Sequence, residues 1–243
     1  MRFLKTFAIL LPICLIIAGC KWMAATPIPA SQKTRALYPG DIWLYQVSGH
    51  PSDVGAVAGV ASANGAFLVK VDTAPSTSSE HAYTAVLVQS SVLTSGDQTS
   101  HVTTKRYVAQ DASGTIWLMG TESKGETEWI NNAEGYVCDF PSPISVGETW
   151  DVKEKVGDAI VLEYRCKVVG TELVTVPAGL YEAYKIEREA VQAPTGNITQ
   201  WYAPEISACV KETIEGTDKD LTLKYKRELM VVQVHHDGDP PRN

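Results

Sequence analysis

The sequence is poor in several residue types, and each scarcity excludes a class of protein. Five cysteines in 243 residues are too few for a scaffold built from disulfides. Lysine and arginine total 21 against 28 acidic residues, so the chain lacks the basic excess of a nucleic-acid-binding protein. The mean hydropathy of −0.07 excludes both a multi-span membrane protein and a disordered acidic tail.

A short apolar run near the N-terminus is followed by a cysteine. Arg2 and Lys5 form a positive head, and residues 7–19 carry no charge. This run is shorter than the roughly 20 residues that span a bilayer, and its layout is typical of a secretory signal peptide. Residues 17–20 read Ile-Ala-Gly-Cys and resemble the lipobox of bacterial lipoproteins. The resemblance implies cleavage after residue 19 and lipidation of Cys20.

The residues after Cys20 indicate which membrane holds the protein and predict a tether between the lipid and the domain. Lys21 follows the cysteine, where an aspartate typically retains such lipoproteins in the inner membrane of enteric bacteria. The resemblance therefore implies anchoring in the outer membrane, on its periplasmic face. In a single-membrane bacterium it implies the outer face of the cell. Residues 20–35 contain two prolines and no periodic pattern, which predicts a lipidated tether.

Loss of the signal peptide changes the charge and leaves an odd number of thiols. The formal charge of the mature chain becomes −9 instead of −7. With Cys20 lipidated, at most one intramolecular bridge can form. Alternating apolar neighbours favour a bridge between Cys138 and Cys166, with Cys166–Cys209 as the rival. Three buried, unpaired cysteines acting as small hydrophobic residues are an equal alternative.

The mature chain reads almost entirely as β-strand. Apolar and polar residues alternate with a period of two, for example at Trp43, Tyr45 and Val47, and turn signals separate the runs. The pattern predicts an all-β, antiparallel sandwich or half-barrel, because the short connections suit hairpins. The predicted β domain covers residues 36–234, and residues 235–243 form a polar tail.

A faint internal repeat divides this domain. Residues 39–45 read Pro-Gly-Asp-Ile-Trp-Leu-Tyr, and residues 146–152 read Val-Gly-Glu-Thr-Trp-Asp-Val. Each segment has a turn glycine, an acidic residue and a strand with an early tryptophan. The repeat predicts two β-meander halves, at residues 36–142 and 143–234, that share one core.

The motifs in this repeat and beyond it resemble a known group of proteins. Residues 174–186 read Val-Thr-Val-Pro-Ala-Gly-Leu-Tyr-Glu-Ala-Tyr-Lys-Ile, residues 201–204 read Trp-Tyr-Ala-Pro, and residues 211–213 read Lys-Glu-Thr. This pattern is similar to a broad group of uncharacterised bacterial secreted proteins and lipoproteins, described only as domains of unknown function. The resemblance implies a β-rich envelope protein and brings no catalytic residues. Residues 205–207, Glu-Ile-Ser, depart from the Gly-[Val/Ile]-Gly that is frequent in the group.

The aromatic residues of these motifs have two interpretations. They are Trp43, Trp150, Trp201 and Tyr202, and they could form a flat platform for a ligand. Aromatic residues at strand starts more often cover one end of a core, and this interpretation is favoured. Pro177, Ala178 and Gly179 predict a turn, because proline fixes φ and glycine tolerates positive φ.

No catalytic or metal-binding motif stands out, and no cofactor or metal site is expected. The histidine pair at residues 235–236 lies on a tail, which makes a poor closed metal site. The preferred hypothesis is a membrane-anchored, non-catalytic envelope lipoprotein that binds a partner protein, a lipid or a glycan and no nucleic acid. One alternative is a hydrolase with an unrecognised site. Another is a lipid or lipoprotein carrier with an apolar cavity lined by residues such as Val69, Leu87, Leu162 and Ile186.

Overall fold

The computed structural model describes residues 31–49, 63–73, 84–95, 97–129, 137–156, 160–191, 197–218 and 221–234. Cys20, the predicted signal peptide and the C-terminal tail lie outside these ranges. All regular structure in them is strand, and no helix among them is long and apolar enough to span a membrane. The strands are β1 (Ser31–Gln32), β2 (Ile42–Gly49), β3 (Ala63–Thr73), β4 (Ala85–Ser95), β5 (Gln98–Gln110), β6 (Ile116–Ser123), β7 (Glu126–Trp129), β8 (Val137–Phe140), β9 (Ile144–Ser145), β10 (Thr149–Val156), β11 (Ile160–Val176), β12 (Gly179–Ala190), β13 (Asn197–Ala203), β14 (Ala208–Asp218) and β15 (Leu221–Gln233).

One large antiparallel sheet contains almost all of these strands. Its order is β10-β11-β12-β13-β14-β15-β2-β3-β4-β5-β6-β7, and β8 also pairs with β6. The sheet therefore consists of two six-strand meanders joined edge to edge where the last strand, β15, pairs with β2. It curves until β8 lies alongside β10, but within the described ranges these two strands share no ladder. The predicted all-β antiparallel half-barrel is confirmed, and a two-sheet sandwich is not what forms.

Alternation along each strand supplies the core. In β2, Trp43, Tyr45 and Val47 are 2%, 4% and 2% exposed, whereas Gln46 between them is exposed. Because opposite residues of paired strands share a face, these side chains meet their counterparts on β3 and β15 inside the curve. A single-residue slip in register would turn the whole set outward, so burial fixes the register.

The predicted repeat is present as a hydrogen-bonded turn. Gly40 has φ of 91°, and its backbone N–H donates to the carbonyl of Val71 at 2.8 Å. The N–H of Val71 in turn donates to the carbonyl of Asp41 at 2.9 Å. The positive φ explains the glycine, because side chains with a Cβ rarely adopt it.

The second turn reproduces the first. Gly147 also has φ of 91° and donates to the carbonyl of Val168 at 2.8 Å, while Val168 donates to the carbonyl of Glu148 at 2.9 Å. The acidic side chains differ, however. The Glu148 carboxylate accepts the N–H of Ser145 at 3.1 Å and remains partly exposed, whereas Asp41 is fully buried.

The buried Asp41 carboxylate fixes the chain segment that enters the sheet. Arg35 donates to both of its oxygens at 2.9 Å, and the N–H of Tyr38 adds a third bond at 2.9 Å. Arg35 also donates its backbone N–H to the carbonyl of Pro204 at 2.8 Å. Residues 31–35, which the sequence analysis assigned to the tether, are thus held against the half-barrel.

The Val-x-Val-Pro-Ala-Gly-x-Tyr-x-Ala stretch forms the tip of a long hairpin. β11 and β12 extend beyond the neighbouring strands, and the N–H of Ala178 donates to the carbonyl of Leu229 on β15 at 3.1 Å. The motif's alternate residues are buried against the end of the half-barrel: Val174, Val176, Tyr181 and Ala183. The spacing of the motif is therefore explained by packing, and Gly179, at φ of 144°, completes the turn.

We expect Asp41→Ala to lower the free energy of unfolding by about 3–5 kcal/mol, because it leaves the largely buried Arg35 without its bidentate partner. Urea unfolding followed by circular dichroism measures this change. Glu148→Ala, at the matching position of the repeat, is the control and should cost about 1 kcal/mol. Equal losses at the two positions would contradict the role given to the buried pair.

Candidate functional site

The predicted aromatic residues do not form one platform. Trp201 and Tyr202 are consecutive on β13 and point to opposite faces of the sheet. Trp201 donates through Nε1 to Glu172 at 2.9 Å and lies under the ammonium groups of Lys185 and Lys211. Tyr202 points inward, is fully buried and stacks on Phe140 with the ring centroids 4.3 Å apart.

The remaining two tryptophans are also built into the fold. Trp43 is 2% exposed and donates from Nε1 to the carbonyl of Ile206 at 3.1 Å. Trp150 is half-buried, and its buried Nε1 has no hydrogen-bond partner. All four aromatic residues pack in or against the hydrophobic core, and their role as covers for one end of it stays a prediction.

The three cysteines of the described chain are free thiols, so neither candidate bridge is formed in this structure. Cys138 lies on β8 and Cys166 on β11, and a bridge between them would join strands across the opening of the sheet. Burial raises the pKa of Cys138 to about 12, of Cys166 to about 11 and of Cys209 to about 12. The Cys138–Cys166 bridge stays a prediction.

The interior holds a row of polar side chains that the sequence analysis missed. Gln200, Glu212 and Arg227 lie directly opposite one another on β13, β14 and β15. Gln200 donates from Nε2 to Glu212 at 2.6 Å, and Arg227 donates to the same carboxylate oxygen at 3.1 Å. The guanidinium of Arg227 is 4.8 Å from the ring centroids of both Tyr45 and Phe67.

A second charged group faces this row from across the opening. Asp139 is the extra residue of a bulge in β8, since Phe140 pairs with Ile116 and Cys138 pairs with Trp117. The bulge turns the Asp139 carboxylate inward, where it is 5% exposed. It lies 3.2 Å from Arg106 on β5 and 3.7 Å from Arg188 on β12.

Together these side chains define the interior polar cluster: Arg106, Asp139, Arg188, Gln200, Glu212 and Arg227. It contains three cationic and two anionic side chains, so its formal charge is positive inside an acidic protein. Burial alone lowers the pKa of Arg188, but Cys166, Asp139 and other neighbours raise it above its usual value. Among the described residues, the ion pair of Arg188 with Asp139 is long, at 3.7 Å, and a buried charge that is poorly paired is costly, so the cluster is the candidate functional site.

Alternation could have revealed part of this cluster. Arg188 is in phase with the buried Tyr184 and Ile186, and Glu212 is in phase with the buried Ile214. Asp139 carries no such signal, because its inward direction comes from a bulge. The charged interior also differs from the continuous apolar lining required by the carrier hypothesis, although Val69 and Ile186 are buried as that hypothesis expected.

The described residues do not bring possible metal ligands or histidines together at the interior polar cluster. The described ranges contain no group of three or more His, Cys, Asp or Glu side chains that could hold a metal ion. His101 is the one histidine within those ranges, and it is exposed on β5.

Comparison with known proteins finds solved structures of low similarity. No family model and no curated protein matches the chain. A protein from Bacteroides fragilis NCTC 9343, presumed to be exported and described as having a YmcC-like fold, is 13% identical, with a TM-score of 0.43 over 83% of this chain and 99% of that one. A β-barrel-like protein of the domain of unknown function DUF1849 from Brucella abortus is 9% identical, with a TM-score of 0.45 over 82% and 99%. Such low similarity carries no statement about ligand or activity.

We expect the folded, reduced protein to react slowly with iodoacetamide at pH 8, because the raised pKa values of Cys138, Cys166 and Cys209 leave little thiolate. Mass spectrometry of the alkylated protein measures this reaction, and the urea-unfolded protein is the fast control. Fast labelling of the folded, reduced form would contradict the expectation. Without reductant, a mass lower by two hydrogens and a single alkylated thiol would show the Cys138–Cys166 bridge once peptides are mapped.

Proposed function

We propose that the chain is a lipid-anchored protein of a bacterial cell envelope, and that its half-barrel binds a ligand without catalysing a reaction. The observation that carries the binding part is the interior polar cluster. It lies on the inner face of the sheet, and Asp139 of β8, the strand beside the opening, contacts Arg188 of β12 within it. Ligands of small β-barrel proteins commonly bind in such interiors.

Unfilled hydrogen-bonding capacity in the cluster supports binding. Arg188 is 8% exposed and Gln200 is 7% exposed, yet within the described ranges Nε of Arg188 and Oε1 of Gln200 have no hydrogen-bond partner. Most buried polar atoms are hydrogen-bonded, and an exception needs a physical reason. A ligand that supplies those partners is such a reason.

The ion pairs of the cluster argue against acid–base catalysis. The carboxylate of Asp139 lies between two arginines, and that of Glu212 accepts from Arg227 and Gln200. A general base must instead reach a substrate proton directly. The described histidine, His101, is on the exposed side of β5, away from both carboxylates.

The anchoring part of the proposal rests on the N-terminal sequence. Cys20 follows a charged head, a short apolar run and two small residues. More than one acyl chain is needed for stable attachment, and a lipoprotein anchor supplies them. The net charge of the domain opposes adhesion to anionic lipid, so the anchor would hold the protein at the membrane. Lys21 favours the periplasmic face of the outer membrane.

Cys20→Ser is expected to move the protein from the membrane fraction to the soluble fraction, because it removes the acylated sulfur. Cell fractionation with immunodetection measures the distribution. Cys138→Ser is the matched control, since it removes a thiol outside the signal and should leave the protein in the membrane fraction. Unchanged fractionation of Cys20→Ser would refute the anchor.

A further inference from the structure

Arg188 is buried but poorly satisfied. Its side chain is 9% exposed, and its shortest polar contacts are 3.4 Å to the Asp139 carbonyl oxygen and 3.7 Å to the Asp139 carboxylate. Charge-assisted hydrogen bonds between guanidinium and carboxylate are normally about 2.7–2.9 Å long. Since Nε has no hydrogen-bond partner among the described residues, the guanidinium retains capacity for a closer anion.

The same protein forms a close guanidinium–carboxylate pair elsewhere. Arg35 donates to both oxygens of Asp41 at 2.9 Å, and that carboxylate is fully buried. The long contacts of Arg188 are therefore a local property of the interior and not a general feature of the fold. They leave a positive charge that Asp139 only partly neutralises.

Several of the side chains next to Arg188 are apolar, although Asp139 also contacts it. Its guanidinium carbon lies 5.1 Å from the centroid of the Phe140 ring. Its neighbours across the ladder are Cys166 and Ile198, which are 0% and 5% exposed, and Ile186 on the same face is fully buried. A ligand for this position would combine an acidic group with an apolar body.

Asp139 occupies the position of that acidic group. It belongs to β8, a strand of four residues whose ladder with β6 is interrupted by the bulge at Asp139 itself. Its carboxylate is closer to Arg106, at 3.2 Å, than to Arg188, at 3.7 Å. If Asp139 moves away from Arg188, its carboxylate still has a partner in Arg106.

We propose that the half-barrel binds an amphiphile with a carboxylate or phosphate group, and that this group pairs with Arg188 in place of Asp139. The acidic group would lie against the guanidinium, and the apolar body would lie among the core side chains beside it. Asp139 would stay paired with Arg106. This inference deepens the proposed binding function and rests on it, but it is independent of the anchor at Cys20.

Isothermal titration calorimetry on the full mature chain carrying Cys20→Ser tests the proposal. The probes are dodecanoate, dodecyl phosphate, dodecanol and inorganic phosphate, below any micelle concentration. One or both acidic amphiphiles should bind, and dodecanol and inorganic phosphate should bind at least about ten-fold more weakly, since each lacks one part of the ligand. The comparison of the two acidic probes identifies the acidic group.

Substitutions separate the role of each side chain. Arg188→Met should weaken binding about ten-fold or more, and Asp139→Asn should strengthen it, because the competing carboxylate charge is gone. Arg165→Met, on the adjacent strand but 67% exposed, is the matched control and should leave affinity unchanged. Circular dichroism and thermal unfolding check each fold. If Arg188→Met is unfolded, Arg188→Lys should bind more weakly than the parent, because one ammonium replaces a planar fork.

Several results would overturn the proposal. They are equal affinity of Arg188→Met or Arg188→Lys and the parent, weaker binding by Asp139→Asn, equal binding of dodecanol and the acidic probes, and no binding of either acidic probe. Equal binding of dodecanol would leave a binding function without an acidic site. The anchor is judged separately by fractionation of Cys20→Ser, so the two failures are distinguishable.

Discussion

The structure depends on the contacts that hold the two ends of one curved sheet together. A closed barrel would pair these ends through backbone hydrogen bonds, but β8 and β10, as far as the structure describes them, lie side by side without a ladder. Side chains provide the connection instead. Asp139, turned inward by its bulge, lies between Arg106 of the first meander and Arg188 of the second. Phe140, the next residue, stacks on Tyr202 from the second meander. The opening is thus closed by contacts that can be exchanged more easily than a ladder.

The two meanders show which parts of a repeated unit are constrained. The glycine turn and its pair of backbone hydrogen bonds are the same at Gly40 and Gly147, because each must start a strand beside a long neighbouring strand. The acidic side chain next to each glycine has diverged. Asp41 holds the entering chain through Arg35, whereas Glu148 bonds only within its own turn. The backbone geometry of the two turns is therefore the same, whereas the two acidic side chains make different contacts because their surroundings differ.

The strands of the fold could be predicted from the sequence, but the arrangement of the charged side chains in its interior could not. Alternation identifies strands because the period of two is a local property, and Gly40, Gly114 and Gly147 lie between strands, as their turn motifs predict. The tip motif around Val174 and Tyr181 was predicted as structural, and its burial explains the spacing. The partners of Asp139 depend on curvature and on a bulge, which are properties of the whole sheet. Arg188 sits between Glu187 and Glu189 and reads locally as a solvated charge, although its phase is that of Ile186. Long-range pairing, and not propensity, decides that it is inside.

The pairing of β15 with β2 has a consequence for the order of events during folding. β2 is the first long strand of the described chain, and it lies in the middle of the sheet. One of its two edges therefore stays unpaired until β15, the last strand, is formed. Neither meander alone can form the backbone hydrogen bonds between β15 and β2, and these bonds join residues far apart in sequence. Such non-local closure is slow compared with hairpin formation. The sheet is therefore complete only after β15 has been synthesised, and the edge of β2 that pairs with β15 stays unpaired until that moment.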